Sequence, residues 1–480
     1  MLDRYTALLC ALTGACLLVA CASPGKPASA GKPKRTILMS EQDDVRAGRE
    51  GAADVMAEMG VLDDPALAAY VDGLGQKLLR GVPRRGFEFQ FHVVDQLEPN
   101  AFALPGGYVF VSRGLLLLAN DEDELACVMG HEIAHVLNRH AAAQQAVARG
   151  GSVLLMPWLR AGQMASYSRD MERVADEDGQ VLCAAAGYDP RALPSFLRSL
   201  EQAERLRTGS SRTPGFFDTH PGSTERAAAS AVRASEIRWK RDPSIGDSRA
   251  ALLRHLDGLA VGPRPEAGFF DGDRFVHPVL DFQVRFPAGW RTSNTNQRVG
   301  AMEPNGEALV YLTGDLPDGD AQKAAEAWVA RAGEEQPVKV LESKAVKAGA
   351  IDAWRMLLEA GGQGGSVTSY VTFIPYRSAI YRVTGVAPSR FAEAQLPRTL
   401  IPSRTFAPLS PSDLGSLRTT RLRVATARPG EDLAALGRRT GSAWDPTTAA
   451  VFNGVKSSQR YQGGELVKIA IAERYVPPGR

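Results

Sequence analysis

In the stretch GHEIAHVLNRH, residues 130 to 140, three residues have the types and spacing that suit metal chemistry. His131 and His135 are four apart, and on an α-helix such residues lie one above the other on one face. Two imidazoles so placed can fill two corners of a tetrahedral zinc site. Glu132 sits about 100° round the same helix from His131 and about 60° from His135. Its carboxylate can therefore reach a water beside the metal without taking a coordination position, which is the place of a general base. His140, nine residues beyond His131, projects about 180° away on a continuous helix, so it is expected to be structural or at the surface. The longer pattern HExxHxxGxxH is absent, because Asn138 and Ala141 stand where glycine and histidine are needed.

The third ligand must come from another segment. In YSRDMERVADEDG, Glu172 and Asp176 are one helical turn apart and share a face. Glu172 can complete a His₂Glu set, and Asp176 can accept the second N–H of a ligand imidazole, fixing its orientation. Taken alone, the segment reads as an acidic helix facing solvent. Beside the paired histidines, the metal reading is preferred.

Several elements must position these groups. Hydrophobic periodicity predicts helices near 42 to 59, 64 to 80, 121 to 147, 168 to 186 and 190 to 206. Two strands interrupt them: FEFQFHVV, with Phe87, Phe89, Phe91 and Val93 on one face, and YVFVS after the turn LPGG. From about Gly268 the texture changes to short β-rich runs with one helix near 321 to 332, which predicts an antiparallel α+β domain. The fold class expected for the whole chain is α+β. A mostly helical domain with a small edge sheet comes first, then the antiparallel α+β domain, then a small βααβ module. The expected boundaries are a signal peptide over 1–21, a tether over 22–35, a metal-site domain over 36–240, a linker with a short helix over 241–267, the second domain over 268–408 and the last module over 417–475.

Four motifs carry a family resemblance: NAFALPGGYVFVSRGLL (100 to 116), ELACVMGHEIAHVLNRH (124 to 140), SRDMERVADEDG (168 to 179) and THPGSTER (219 to 226). In this order they resemble the gluzincin metalloendopeptidases of peptidase family M forty-eight, which include HtpX-like and CAAX prenyl protease-like enzymes. The resemblance covers roughly residues 40 to 235. It implies one zinc per chain on His131, His135 and Glu172, Glu132 as catalytic base and Asp176 as the carboxylate behind the ligands. It implies that His220 and Arg226 approach the catalytic cleft, His220 either stabilising the oxyanion or blocking the metal's open position. Asn100, Ala101, Phe102, Ala103, Gly106 and Gly107 are implied to bind substrate, the strand after the Pro-Gly-Gly turn being the sheet edge on which an extended peptide lies. The other reading of that stretch is a hairpin packed under the active helix.

The beginning of the chain carries an apolar run from Ala7 to Ala20 that reads as an export signal. LVAC, ending at Cys21, resembles a bacterial lipobox, which implies a lipidated cysteine. Ala22 after it implies the outer membrane, with the protein facing the periplasm. Other apolar stretches are too short or too interrupted to span a bilayer. Cys127 and Cys183, both in apolar helical surroundings, are expected to be buried as separate small hydrophobes. FVHPVLDFQVRFPAGW resembles the opening of PsbP-like domains, and RLRVATARPGEDLAALGRRTGS with VFNGV and GGELVKI resembles a LysM-like module, implying peptidoglycan as a partner.

With 480 residues, 44% hydrophobic and 23% charged, the chain is of ordinary globular composition and long enough for several domains. A net charge of +2 without a long basic run argues against nucleic acid. The expected function is zinc-dependent hydrolysis of cell-envelope polypeptides. The rival is a non-catalytic, lipid-tethered envelope protein that binds glycan or acts as a chaperone.

Overall fold

The computed structural model describes residues 40–83, 86–142, 167–206, 215–335, 337–362 and 365–475. The expected signal segment, Cys21 and the tether lie outside these residues. Among the described residues no helix is long and apolar enough to cross a membrane.

The first part is built from helices α1 (Glu41–Met59), α2 (Pro65–Leu78), α3 (Arg113–Leu118), α4 (Glu122–Leu137), α5 (Arg169–Ala185), α6 (Ala192–Leu206), α7 (Phe216–Thr219), α8 (Ser223–Glu236) and α9 (Ser248–Leu256). A three-stranded sheet, ordered β1-β3-β2, joins them, with strands β1 (Gln90–Val94), β2 (Ala101–Leu104) and β3 (Tyr108–Ser112). β3 pairs parallel with β1 and antiparallel with β2, so it is the central strand. The expected edge strand after the Pro-Gly-Gly turn is thus corrected: the free edge belongs to β2, before the turn. Gly106 and Gly107 take positive φ values of 74° and 95°, a region that favours glycine, and this lets the chain reverse between the two strands. β1 starts at Gln90 because its partner β3 starts at Tyr108.

Helix α4 forms where the sequence places it, but it is shorter than expected. Asp121 caps it by accepting from the Glu124 N–H at 2.8 Å. Glu122, Asp123 and Glu124 place negative charge at its positive end. Every residue from Asp123 to Val136 is buried, so this helix is the centre of the domain. It stops at Leu137, because Arg139 turns to φ 52° and fixes the break through Asp44, whose carboxylate lies 2.6 Å from Arg139 Nε.

Helices α4 and α5 run antiparallel and touch along a ladder of rungs. Cys127 is bonded to Cys183, Gly130 meets Gly179, and His131 meets Asp176. A Cβ added at Gly179 would lie 2.7 Å from the backbone of His131, so this crossing requires glycine. The disulfide corrects the expectation of separate cysteines. The antiparallel register brings their Cα atoms to 5.1 Å, within bridging range.

Beyond α9 the chain forms antiparallel sheets, consistent with the α+β class expected. A seven-stranded sheet ordered β10-β11-β12-β13-β9-β8-β7 uses β7 (Arg291–Asn294), β8 (Val299–Met302), β9 (Leu309–Pro317), β10 (Val338–Ala348), β11 (Ile351–Gly362), β12 (Gly365–Tyr376) and β13 (Ala379–Pro388). Helix α10 (Ala321–Glu335) covers it with Ala325 and Trp328 packed on Met356, Leu358, Val371 and Phe373. A smaller sheet holds β4 (Phe269–Asp271), β5 (Arg274–His277), β6 (Phe282–Arg285) and β14 (Ala407–Pro408), with α11 (Ala392–Thr399), α12 (Ile401–Thr405) and α13 (Pro411–Ser416) around it in sequence.

The last elements follow in the order β15 (Arg418–Thr426), α14 (Leu433–Thr440), α15 (Pro446–Phe452) and β16 (Leu466–Arg474), with β15 and β16 antiparallel. This unit packs on the first domain. Leu422 and Val451 join the first domain's core, and the linker backbone at Gly258, Leu259 and Val261 hydrogen-bonds with Leu422 and Thr420 of β15 at 2.8 Å. The fully buried Lys468 donates from Nζ to the carbonyls of Leu117, Leu118 and Ala119, at the end of α3.

Candidate metal centre

α4 presents His131, Glu132 and His135 inward, and α5 presents Glu172 and Asp176 across from them; all five are buried. The Nε2 atoms of His131 and His135 stand 3.0 Å apart. Glu172 brings Oε2 to 3.5 Å from His131 Nε2 and Oε1 to 3.5 Å from His135 Nε2. His220, just past α7, places Nδ1 3.0 Å from Glu172 Oε1 and 3.3 Å from His131 Nε2. These four residues can each offer one ligand atom within 4.8 Å of the others.

The donor set fits zinc. Ligand atoms about 2.0 to 2.2 Å from a tetrahedral ion stand about 3.3 to 3.6 Å from one another, close to the spacings found here. Imidazole nitrogens and a carboxylate are also the donors zinc takes. Both carboxylate oxygens of Glu132 are buried without a hydrogen-bond partner, as a group awaiting a water or a substrate would be.

The surroundings fix the ligands. Asp176 Oδ1 lies 3.0 Å from His131 Nδ1, the contact expected of it. Arg226, on α8, clamps both acids: Nη1 is 2.6 Å from Glu172 Oε2, and Nη2 is 2.7 Å from Asp176 Oδ1. Arg226 was expected among the catalytic groups; its guanidinium is engaged by these two carboxylates. His140 is a second correction. Because α4 breaks at Arg139, His140 does not point away; it is buried, and its Nδ1 lies 2.9 Å from His135 Nδ1. It can thus hold the second nitrogen of His135 as Asp176 holds that of His131. A continuous-helix projection could not show this, although the Asn138–Arg139 pair is a sequence signal for a helix end.

The electrostatics separate the carboxylates. Burial pushes Glu132 up to about 7. Burial acts in the same direction on Asp176, but Arg226 and His131 outweigh it and hold that carboxyl well below the ordinary range. Glu172 is likewise lowered against its burial by His220, His131 and Arg226. Burial and the neighbouring His131, His220 and His140 keep His135 neutral, as a ligand must be. Tyr167 stacks on His135, with centroids 4.0 Å apart and planes at 21°.

Of the expected substrate-binding residues, Ala101, Phe102 and Ala103 lie on edge strand β2, Asn100 precedes it, and Gly106 and Gly107 form the turn after it. Asn100 is anchored by its N–H to Ser112 Oγ at 2.8 Å. A cavity of about 20 Å³ is bordered by Ala103, Leu104, Gly106, His135 and Tyr167. Of the clustered residues, His135 borders it.

Comparison with known proteins agrees with this geometry. Residues 65–165 and 153–233 match the model of peptidase family M48. A putative beta-barrel assembly-enhancing protease of Vibrio cholerae is 36% identical over 280 residues, covering 52% of this chain and 53% of that protein. The beta-barrel assembly-enhancing protease of Escherichia coli K12 is 34% identical over 220 residues, 41% of this chain and 45% of that protein. The mitochondrial metalloendopeptidase OMA1 of Schizosaccharomyces pombe is 30% identical over 216 residues, 42% of this chain and 63% of that protein. The chain thus spans about half the length of the two bacterial relatives. A solution structure of cyanobacterial PsbP from Synechocystis aligns with 31% of this chain and 99% of its own, at 9% identity and a TM-score of 0.25.

Proposed function

We propose that the protein is a zinc metalloendopeptidase that hydrolyses polypeptides of the bacterial cell envelope. The observation that carries this reading is the convergence of His131, His135 and Glu172 on one buried point, with the Glu132 carboxylate beside it, 3.5 Å from His220 Nε2 and without a hydrogen bond. Bound zinc would supply the Lewis acid that polarises the scissile carbonyl and acidifies the attacking water. His131, His135 and Glu172 would hold the ion, kept in orientation by Asp176, His140 and Arg226. Glu132 takes the proton of the attacking water and passes it to the leaving amine. The free edge of β2 receives the substrate as an added strand, which presents its backbone in extended form.

His220 contributes a fourth protein donor, and four protein donors make a closed set of the structural kind. We read it as holding the site latent; withdrawal of its imidazole opens the position that substrate needs. The names of the bacterial relatives favour outer-membrane polypeptides as substrates, in protein quality control. The Cys127–Cys183 disulfide favours an oxidising compartment, as an exported protein would occupy. We place the protein at the outer membrane, lipid-anchored through Cys21 and facing the periplasm, with residues 417–475 as a LysM-like module toward peptidoglycan. A Cys21→Ser variant should then leave the membrane fraction; unchanged partition would refute the anchor.

The test of the activity is cleavage of an unfolded protein such as casein by residues 22–480, with metal analysis of the same sample. The expected result is about one zinc per chain and cleavage abolished by a chelator. A zinc-free protein that binds envelope polypeptides without cutting them would support the non-catalytic rival instead.

A further inference from the structure

We infer that Tyr167 is a further catalytic residue, donating a hydrogen bond from its phenol to the oxyanion that forms when the scissile carbonyl is attacked. The inference rests on the peptidase reading above. Tyr167 is only 2% exposed, and its hydroxyl has no hydrogen-bond partner among the described residues. Leaving a buried hydroxyl unpaired is unfavourable, and such a group in a well-packed site points to a partner that arrives with the ligand.

Position supports this. The ring lies against His135 and its centroid is 5.4 Å from that of His220, so the residue borders the metal cluster. Its backbone is fixed on both sides: its N–H donates to Thr219 O at 3.0 Å, and the next residue, Ser168, caps α5. The same side chain borders the small cavity with Ala103 and Leu104 of the edge strand. A peptide laid on β2 with its carbonyl toward the metal would therefore bring that oxygen beside the space that Tyr167 borders.

Packing alone could explain the ring, because a stacked aromatic would also orient His135. The two roles separate in Tyr167→Phe, which keeps the ring and removes the hydroxyl. With the zinc-loaded full chain and an unfolded protein substrate, kcat should fall roughly 10²-fold, the scale of one lost oxyanion donor. KM, zinc stoichiometry and thermal midpoint should stay near wild type. Affinity for a phosphinic peptide, a stable tetrahedral anion, should fall by a similar factor, while affinity for a cleaved product peptide should not change. Wild-type kcat and phosphinic affinity in Tyr167→Phe would overturn this role and leave the peptidase reading intact. Absence of cleavage by both the zinc-loaded wild type and a zinc-loaded His220→Ala variant, whose fourth position is open, would overturn both.

Discussion

At the scale of single residues, the site is a set of charges that are tolerable only together. Arg226 holds two buried carboxylates, Glu172 and Asp176, at 2.6 and 2.7 Å, so its loss would leave both without their cation. Breaking such a buried group by removing one partner costs about 3 to 5 kcal/mol. Arg226→Ala should destabilise the protein by that order in denaturant titration and weaken zinc binding roughly 10- to 100-fold, as loss of a ligand's support does. Unchanged zinc affinity would show that the clamp does not bear on the ligands. The ligand residues themselves were legible in the sequence, because His131, Glu132 and His135 follow a helical spacing that needs no knowledge of the rest of the chain. Their supports were only partly so. Asp176 shares a face with Glu172 and could be read, whereas His140 depends on a break at Arg139 and Tyr167 on contacts across the domain.

At the scale of elements, the site is set by the pairing of α4 with α5. Three rungs hold it: the disulfide, the contact of Gly130 with Gly179, and the 3.0 Å contact of His131 with Asp176. The Cys127–Cys183 bond closes a loop of 56 residues, and a loop of that length stabilises by about 2 to 4 kcal/mol. A Cys127→Ala/Cys183→Ala double variant should lose about this much stability and lose its sensitivity to reductant. Equal stability in the oxidised wild type and the variant would contradict the rung's role. Helices α1, α2, α4, α5 and α6 were readable from periodicity, whereas α3 and α8, which carries Arg226, were not among those expected. The register of α4 against α5 was not readable, because spacing within a helix says nothing about which of its turns faces another helix. The same limit explains the edge strand: four residues, Ala101–Leu104, are too short and too evenly apolar to show a period.

At the scale of the whole molecule, the last βααβ unit belongs physically to the metal-site domain. Lys468 satisfies three carbonyls at the end of α3, and α3 leads directly into α4. Lys468→Met should therefore cost about 1 to 3 kcal/mol through carbonyls left buried and unpaired, with the loss seen in unfolding of the metal-site domain. An effect confined to the last unit would contradict the coupling. The change in texture near Gly268 announced the sheets in the sequence, but this docking was invisible, since a lysine on a strand is ordinarily read as exposed. The central claim, that this assembled molecule is a zinc peptidase with Glu132 as its base, is tested most directly by Glu132→Gln. Zinc content and unfolded-protein cleavage should be measured side by side with wild type. One zinc per chain is expected in both proteins, with cleavage lowered about 10²- to 10⁴-fold in the variant, the usual share of a single general base. A Glu132→Gln protein that holds zinc and still cleaves at the wild-type rate would contradict that claim.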